Sequence, residues 1–195
     1  EVAGGQTGSE MTIIAGFSAS GHGPAPLHLA AQLSRCTGDN VIAAAIIERP
    51  WPRKLDPFEG EYFTYVEGQA KDSLQQMIDQ LPAEVDIQPM VRQALSVPVG
   101  LTELAAEVSA TVVVVGSSSS GLRGRIALGS VTDRLVHTAA VPVAIAPRGY
   151  RGARTGTLTR ITCGYPGTPE SVNVVKQMAE LAGSAGSLDH PLLVE

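Results

Sequence analysis

Short, unbroken apolar runs alternate along this chain with segments whose apolar residues recur every three or four positions. Met11–Phe17, MTIIAGF, is the first such run and ends in SASGHG, the signature of a buried parallel strand followed by a glycine-rich turn. Leu27, Leu29, Ala30, Ala31 and Leu33 then fall at helical spacing, with Pro24 and Pro26 near the entry and Gly38 just past the exit. Val41–Ile47, VIAAAII, is a second buried strand. The proline-rich ERPWPRKLDPFEGEY reads as a loop, and a polar helix is expected from Val66 to Gln80, stopped by Pro82. Alternation at Val85, Ile87, Pro89 and Val91 predicts a third strand over Val85–Leu95. Leu101, Leu104, Ala105 and Val108 make one helical face, Thr111–Val115 a fourth strand, Ser130–Ala139 a helix, and Val141–Ala146 a fifth strand.

Strands alternating with helices imply an α/β fold: a five-stranded parallel sheet sandwiched by helices. In such sheets ligands lie beyond the carboxyl ends of the strands, where the strand order reverses. The two loops richest in small residues, after strands one and four, both fall on that edge.

Composition narrows the picture. With 195 residues, 44% of them hydrophobic, the chain is long enough for one full domain and a remainder. A formal charge of −5, with no basic stripe, gives no reason to expect nucleic-acid binding. No apolar run approaches the roughly 18 residues of a membrane helix, so no membrane role is expected. The opening EVAGGQTGSE lacks a secretory pattern and reads as a flexible leader over residues 1–10. Cys36 and Cys163 lack metal spacing and fit a reducing compartment, so a cytoplasmic location is expected. His22, His28, His137 and His190 are scattered, with no metal-ligand pattern.

The end of the chain repeats its beginning. After a linker over residues 148–158, RITCGYPGTPESVNVVKQMAELAG echoes TIIAGFSASGHGPAPLHLAAQLSRCTG, with Gly164–Tyr165 matching Gly16–Phe17. HPLLVE echoes the second strand. The expected organisation is a complete domain over residues 11–147 and a strand–helix–strand opening of a second copy over 159–195.

The candidate chemistry sits after strand four, in GSSSSGLRGRIALGSVTDRL. Gly116 and Gly121 enclose four residues as in a phosphate loop, but Leu122 and Arg123 stand where Lys and Ser/Thr are needed. A nucleophile elbow needs glycine where Ser120 stands. Ser130-x-x-Asp133 is a capping box at the head of a helix. A helix N-terminus is also an anion site, and glycine lets a phosphate approach the backbone. Arg123 and Arg125 read as solvated side chains, with phosphate pairing the lesser alternative.

The run VVVVGSSSSGLRGRIALGSVTDRLVHTAAVPVAIAPRG resembles the universal stress protein family, whose C-terminal signature is G-x2-G-x9-G-S/T. The match lies at Gly116, Ser119, Gly129 and Ser130, and the helix and terminal strand that follow also agree. The resemblance extends over Met11–Pro147, and the terminal repeat resembles tandem members. It implies a Rossmann-like nucleotide-binding fold of the adenine nucleotide alpha hydrolase type. It further implies ATP with Mg2+ as the ligand, with AMP or cyclic AMP as alternatives. On that reading the contacting residues are Gly16, Phe17 and Ser18 after strand one, and Ile46 in strand two. Gly116, Ser117 and Ser119 leave strand four, and Gly129, Ser130 and Val131 open the helix. Two positions depart from the family pattern: Ser18 replaces an acidic residue and Ser119 replaces the second glycine.

The leading expectation is therefore a nucleotide-binding regulator that performs no catalysis and pairs as a homodimer through residues 141–146. A protein-interaction module that has lost its nucleotide is the alternative, supported by Ser18 and Ser119. A slow ATPase is a third reading, since SASGHG faintly resembles the loop of ATP pyrophosphatases.

Overall fold

A computed structural model describes residues 11–18, 23–49, 57–81, 85–118, 122–152, 158 and 160–184. The element order is β1 (Thr12–Phe17), α1 (Ala25–Thr37), β2 (Asn40–Glu48), α2 (Pro57–Ile78), β3 (Ile87–Ala94), α3 (Val97–Glu107), β4 (Ala110–Gly116), α4 (Ser130–Thr138), β5 (Val143–Ala146) and α5 (Pro169–Ser184). The five strands form one parallel sheet in the order β3-β2-β1-β4-β5. The chain winds outward from β1 to β3, then returns past β1 to build β4 and β5. The switch point thus falls between β1 and β4.

Alternation along the central strands gives each face its own core. Ile13, Ala15 and Phe17 of β1 join Leu27, Ala30 and Ala31 of α1 and Leu74 of α2 on one face. Ile14, Val113 and Val115 join Leu101, Leu104 and Ala105 of α3 and Leu135 of α4 on the other. Register is fixed by these pairings: Ile14 lies between Ile42 and Val113, both parallel to it. A slip of one residue would exchange the faces. Helix α1 has Pro24 as N-cap and Gly38 in the left-handed region (φ 79°) as C-cap, with the Gly38 amide donating to Ser34 O at 2.7 Å.

Several boundaries differ from the sequence-based expectation. Helix α2 begins at Pro57, so residues 57–62 are helical although the proline-rich segment reads as a loop. Proline is at home in a first helical turn, where its missing amide has no helical partner. Helix α3 starts at Val97, one turn before its apolar face becomes visible, and β5 is confined to Val143–Ala146.

Of the strand–helix–strand expected over residues 159–195, the structure describes the helix, α5, which packs against α1. The expected leading strand is not formed, because residues 160–166 join no ladder. The final expected strand and the leader lie outside the described residues.

Candidate nucleotide site

The carboxyl ends of β1, β2 and β4 and the amino ends of α3 and α4 surround a cavity of about 520 Å3 at the switch point. Phe17 and Ser18 reach it from β1 and Ala45, Ile46 and Ile47 from β2. Helix α2 adds Val66 and Ala70, while α3 adds Val97 and Leu101. Gly116 and Ser118 close the β4 side, and Gly129, Ser130, Val131 and Thr132 supply the helix start. The two sides differ in chemistry. The β2, α2 and α3 wall is aliphatic, whereas the β4–α4 wall carries hydroxyls and backbone amides. None of these described lining residues has an ionisable side chain.

Besides the packing of Leu135, a hydrogen bond ties the start of helix α4 to β4. The buried Thr132 Oγ1 donates to Gly116 O at 3.1 Å, which holds the helix start over the end of the strand. The N-cap is Gly129, with no side-chain cap, and Asp133 N donates to Gly129 O at 2.8 Å as the first turn closes. This corrects the capping box: Ser130 is the first helical residue, one position too late for its hydroxyl to cap. The amino end of α4 therefore borders the cavity with a glycine, not a capping side chain, at its N-cap.

The glycines divide by what surrounds them. A Cβ on Gly16 would stand 3.2 Å from Leu101 Cδ1 and 3.4 Å from Val115 Cγ1, so this glycine serves packing between β1 and α3. Gly129 is different. Its φ of −91° suits any residue, and the atoms nearest to a Cβ would be those of Ser118, at an ordinary 3.5 Å and beyond. Among the described residues, neither strain nor a close contact demands glycine there. The space a side chain would occupy lies between two lining residues, Ser118 and Gly129.

Most of the expected residues come together: Gly16, Phe17, Ser18, Ile46, Gly116, Gly129, Ser130 and Val131 all line the cavity. Ser117 does not. Its buried hydroxyl accepts from Ala127 N at 2.7 Å and lies 3.1 Å from Ala127 O, pinning the returning loop to the end of β4. Ser118 takes its place at the cavity. Ser119 lies outside the described residues. Among the lining residues that sequence reasoning missed are Val66, Ala70, Val97 and Thr132. Val66 and Ala70 stand four apart on α2, a signal that was present but not tied to any strand end.

Comparison with protein families matches residues 11–147 to the Universal stress protein family. The chain belongs to the universal stress protein family. Universal stress proteins of Mycobacterium tuberculosis and Mycobacterium bovis are 39% identical to it over 180 residues, spanning 90% of this chain. The chain covers 61% of the length of these relatives. Among solved structures, universal stress protein UspA from Lactobacillus plantarum superposes with a TM-score of 0.54 at 17% identity, covering 70% of this chain and 97% of its own. A family member from Burkholderia pseudomallei gives 0.50 at 19% identity, over 72% and 98%. These likenesses are to the fold. Among the described residues of this universal stress protein, no helix is long and apolar enough to cross a membrane.

Proposed function

We propose that this universal stress protein binds an adenine nucleotide in the switch-point cavity, as a regulator and not a catalyst. The observation that carries the reading is Gly129: a glycine that neither backbone strain nor a close contact among the described residues requires, placed as the N-cap of a helix. Close approach of an anion to the backbone accounts for it, because amides and helix dipole favour negative charge there. The base would lie against Ile46, Ile47 and Val66, an aliphatic wall suited to a planar ring. The ribose and phosphates would run past Ser118 toward Gly129 and Ser130.

ATP, AMP and cyclic AMP share this chemistry. With Ser18 at the end of β1, a Mg2+ ion would enter on the phosphates of ATP, screening their charge, with no carboxylate among the described lining residues to hold it. Hydroxyls and amides suit binding better than proton transfer.

Calorimetric titration with Mg-ATP, AMP and cyclic AMP tests the reading beside Gly129→Ala. A Cβ fits the folded chain at Gly129, so the variant should keep the stability of the wild type. Micromolar binding by the wild type, lost in Gly129→Ala, is the expected result. Absence of heat and of any thermal shift at millimolar nucleotide would overturn it.

A second reading rests on β5, which pairs with β4 on one side and ends the sheet on the other. An edge strand of apolar residues that pairs with no further strand among the described residues invites pairing with a second chain. We infer a homodimer through this edge, checked by light scattering at micromolar concentration; a monomer mass removes it.

A further inference from the structure

The loop between β4 and α4 is long, and its outer end is not part of either core. Two tight turns face each other there. In the first, Arg125 N donates to Leu122 O at 3.1 Å and Gly124 occupies the left-handed region at φ 75°. In the second, just past β5, Tyr150 N donates to Pro147 O at 3.0 Å with Gly149 at φ 77°. Both have the type II pattern, which needs positive φ at the third position. The turns are joined: Gly124 N donates to Arg148 O at 3.0 Å, and the Arg123 side chain lies over Gly149.

What holds the second turn in place is α1. The Tyr150 hydroxyl donates to Oε1 of Gln32, a side chain wholly buried on α1. Burial pushes the phenol pKa up, so the donor stays protonated across the ordinary range. A chain of contacts thus runs from α1 through Tyr150, Pro147–Gly149 and Gly124 to the loop that carries Ser118 and Gly129.

We propose that Tyr150 is a positioning residue for the nucleotide loop, acting through the turn at Pro147–Tyr150 as a strap that ties the loop to α1. It touches no described residue of the cavity wall through a hydrogen bond. Its effect is to fix the outer turn, and through it the segment from Leu122 to Gly129. The affinity part of this inference rests on the adenine-nucleotide reading; the part concerning loop order does not.

The test uses the whole 195-residue chain. Arg123 and Arg125 are exposed in the outer turn, so tryptic cleavage after each, followed by mass spectrometry, reports how firmly that turn is held. Tyr150→Phe removes only the hydroxyl. Tyr65→Phe, at an exposed position on α2, is the control. The expected result is cleavage after Arg123 and Arg125 roughly three- to tenfold faster in Tyr150→Phe than in the wild type, the range for loss of one net hydrogen bond. Cleavage at sites elsewhere should match the wild type, and Mg-ATP affinity should fall by a similar factor. Gln32→Met, which removes the acceptor instead of the donor, should reproduce both changes.

Equal cleavage in Tyr150→Phe and the wild type would overturn the strap. So would acceleration spread evenly over all sites, since that marks general destabilisation. If the wild type itself binds no nucleotide, the functional reading falls, and the cleavage ratio alone decides the strap.

Discussion

Gly100 gives the sharpest check on how α3 is seated. It lies in the first turns of that helix, and a Cβ built there would stand 2.8 Å from Ala94 Cβ and 2.8 Å from Ile46 Cγ2. Carbon atoms rest at about 3.5–4.0 Å, so Gly100→Ala asks for a displacement of roughly 0.7–1.2 Å. Neither obstacle yields easily. The Ala94 methyl moves only with its backbone, and Ile46 is β-branched and restricted at χ1. Overpacking of this kind costs about 1–3 kcal/mol. The better helix propensity of alanine returns about 0.5–1 kcal/mol, leaving a net loss of up to about 2.5 kcal/mol. At about 3 °C per kcal/mol, Tm should fall by up to roughly 7 °C.

Gly68 supplies the control. It is exposed in the interior of α2, and a Cβ there meets nothing within 4 Å. Gly68→Ala should therefore stabilise by about 0.5–1 kcal/mol through the same propensity term. Thermal melts of the two variants, with urea curves to check that the m-value holds, read the contrast directly. Equal upward shifts would refute the reasoning, because they would show that α3 does not press on β2 and β3 as described.

Other expectations follow from the loop and from α1. Ser117→Ala removes a buried hydroxyl that binds Ala127 twice and should cost about 1–3 kcal/mol in urea unfolding. Ser130→Ala should change stability by less than about 0.5 kcal/mol, whereas loss of a true N-cap would cost about 1 kcal/mol. His28 has its pKa lowered by burial first, and by Arg151 and Arg35 after that. The unfolded chain then binds the extra proton more readily. Stability supplied by neutral His28 is complete above the unfolded value near 6.5 and is lost as pH falls through the lower folded value. His28→Gln should flatten that acid limb in pH-dependent unfolding.

The strands were legible because each central one is buried on both faces and therefore reads as an unbroken apolar run. What the run does not tell is whether a partner exists. ITCG at residues 161–164 reads like β1, yet it joins no ladder, because pairing depends on what lies beside a segment and not on its own residues. The start of α2 was hidden by its own proline, since Pro57 opens a helix with the residue that usually ends one. At the site, the glycine–serine loop was recognisable as a unit, but its serines were not distinguishable. Ser117 turns into the loop and Ser118 to the cavity, an alternation set by where β4 stops. The same one-residue phase separates Gly129, the N-cap, from Ser130, which had looked like one.

The cavity draws its walls from both cores at once: Phe17, Ala45 and Ala70 belong to the α1–α2 face, and Leu101, Val115 and Val131 to the α3–α4 face. A molecule seated there would span the edge of the sheet and touch both layers. Its binding energy would then be shared between two units that otherwise communicate through the strands. Amide hydrogen exchange in α2 and α3 should slow together when it binds, making a fold of two half-independent layers open as a single cooperative body.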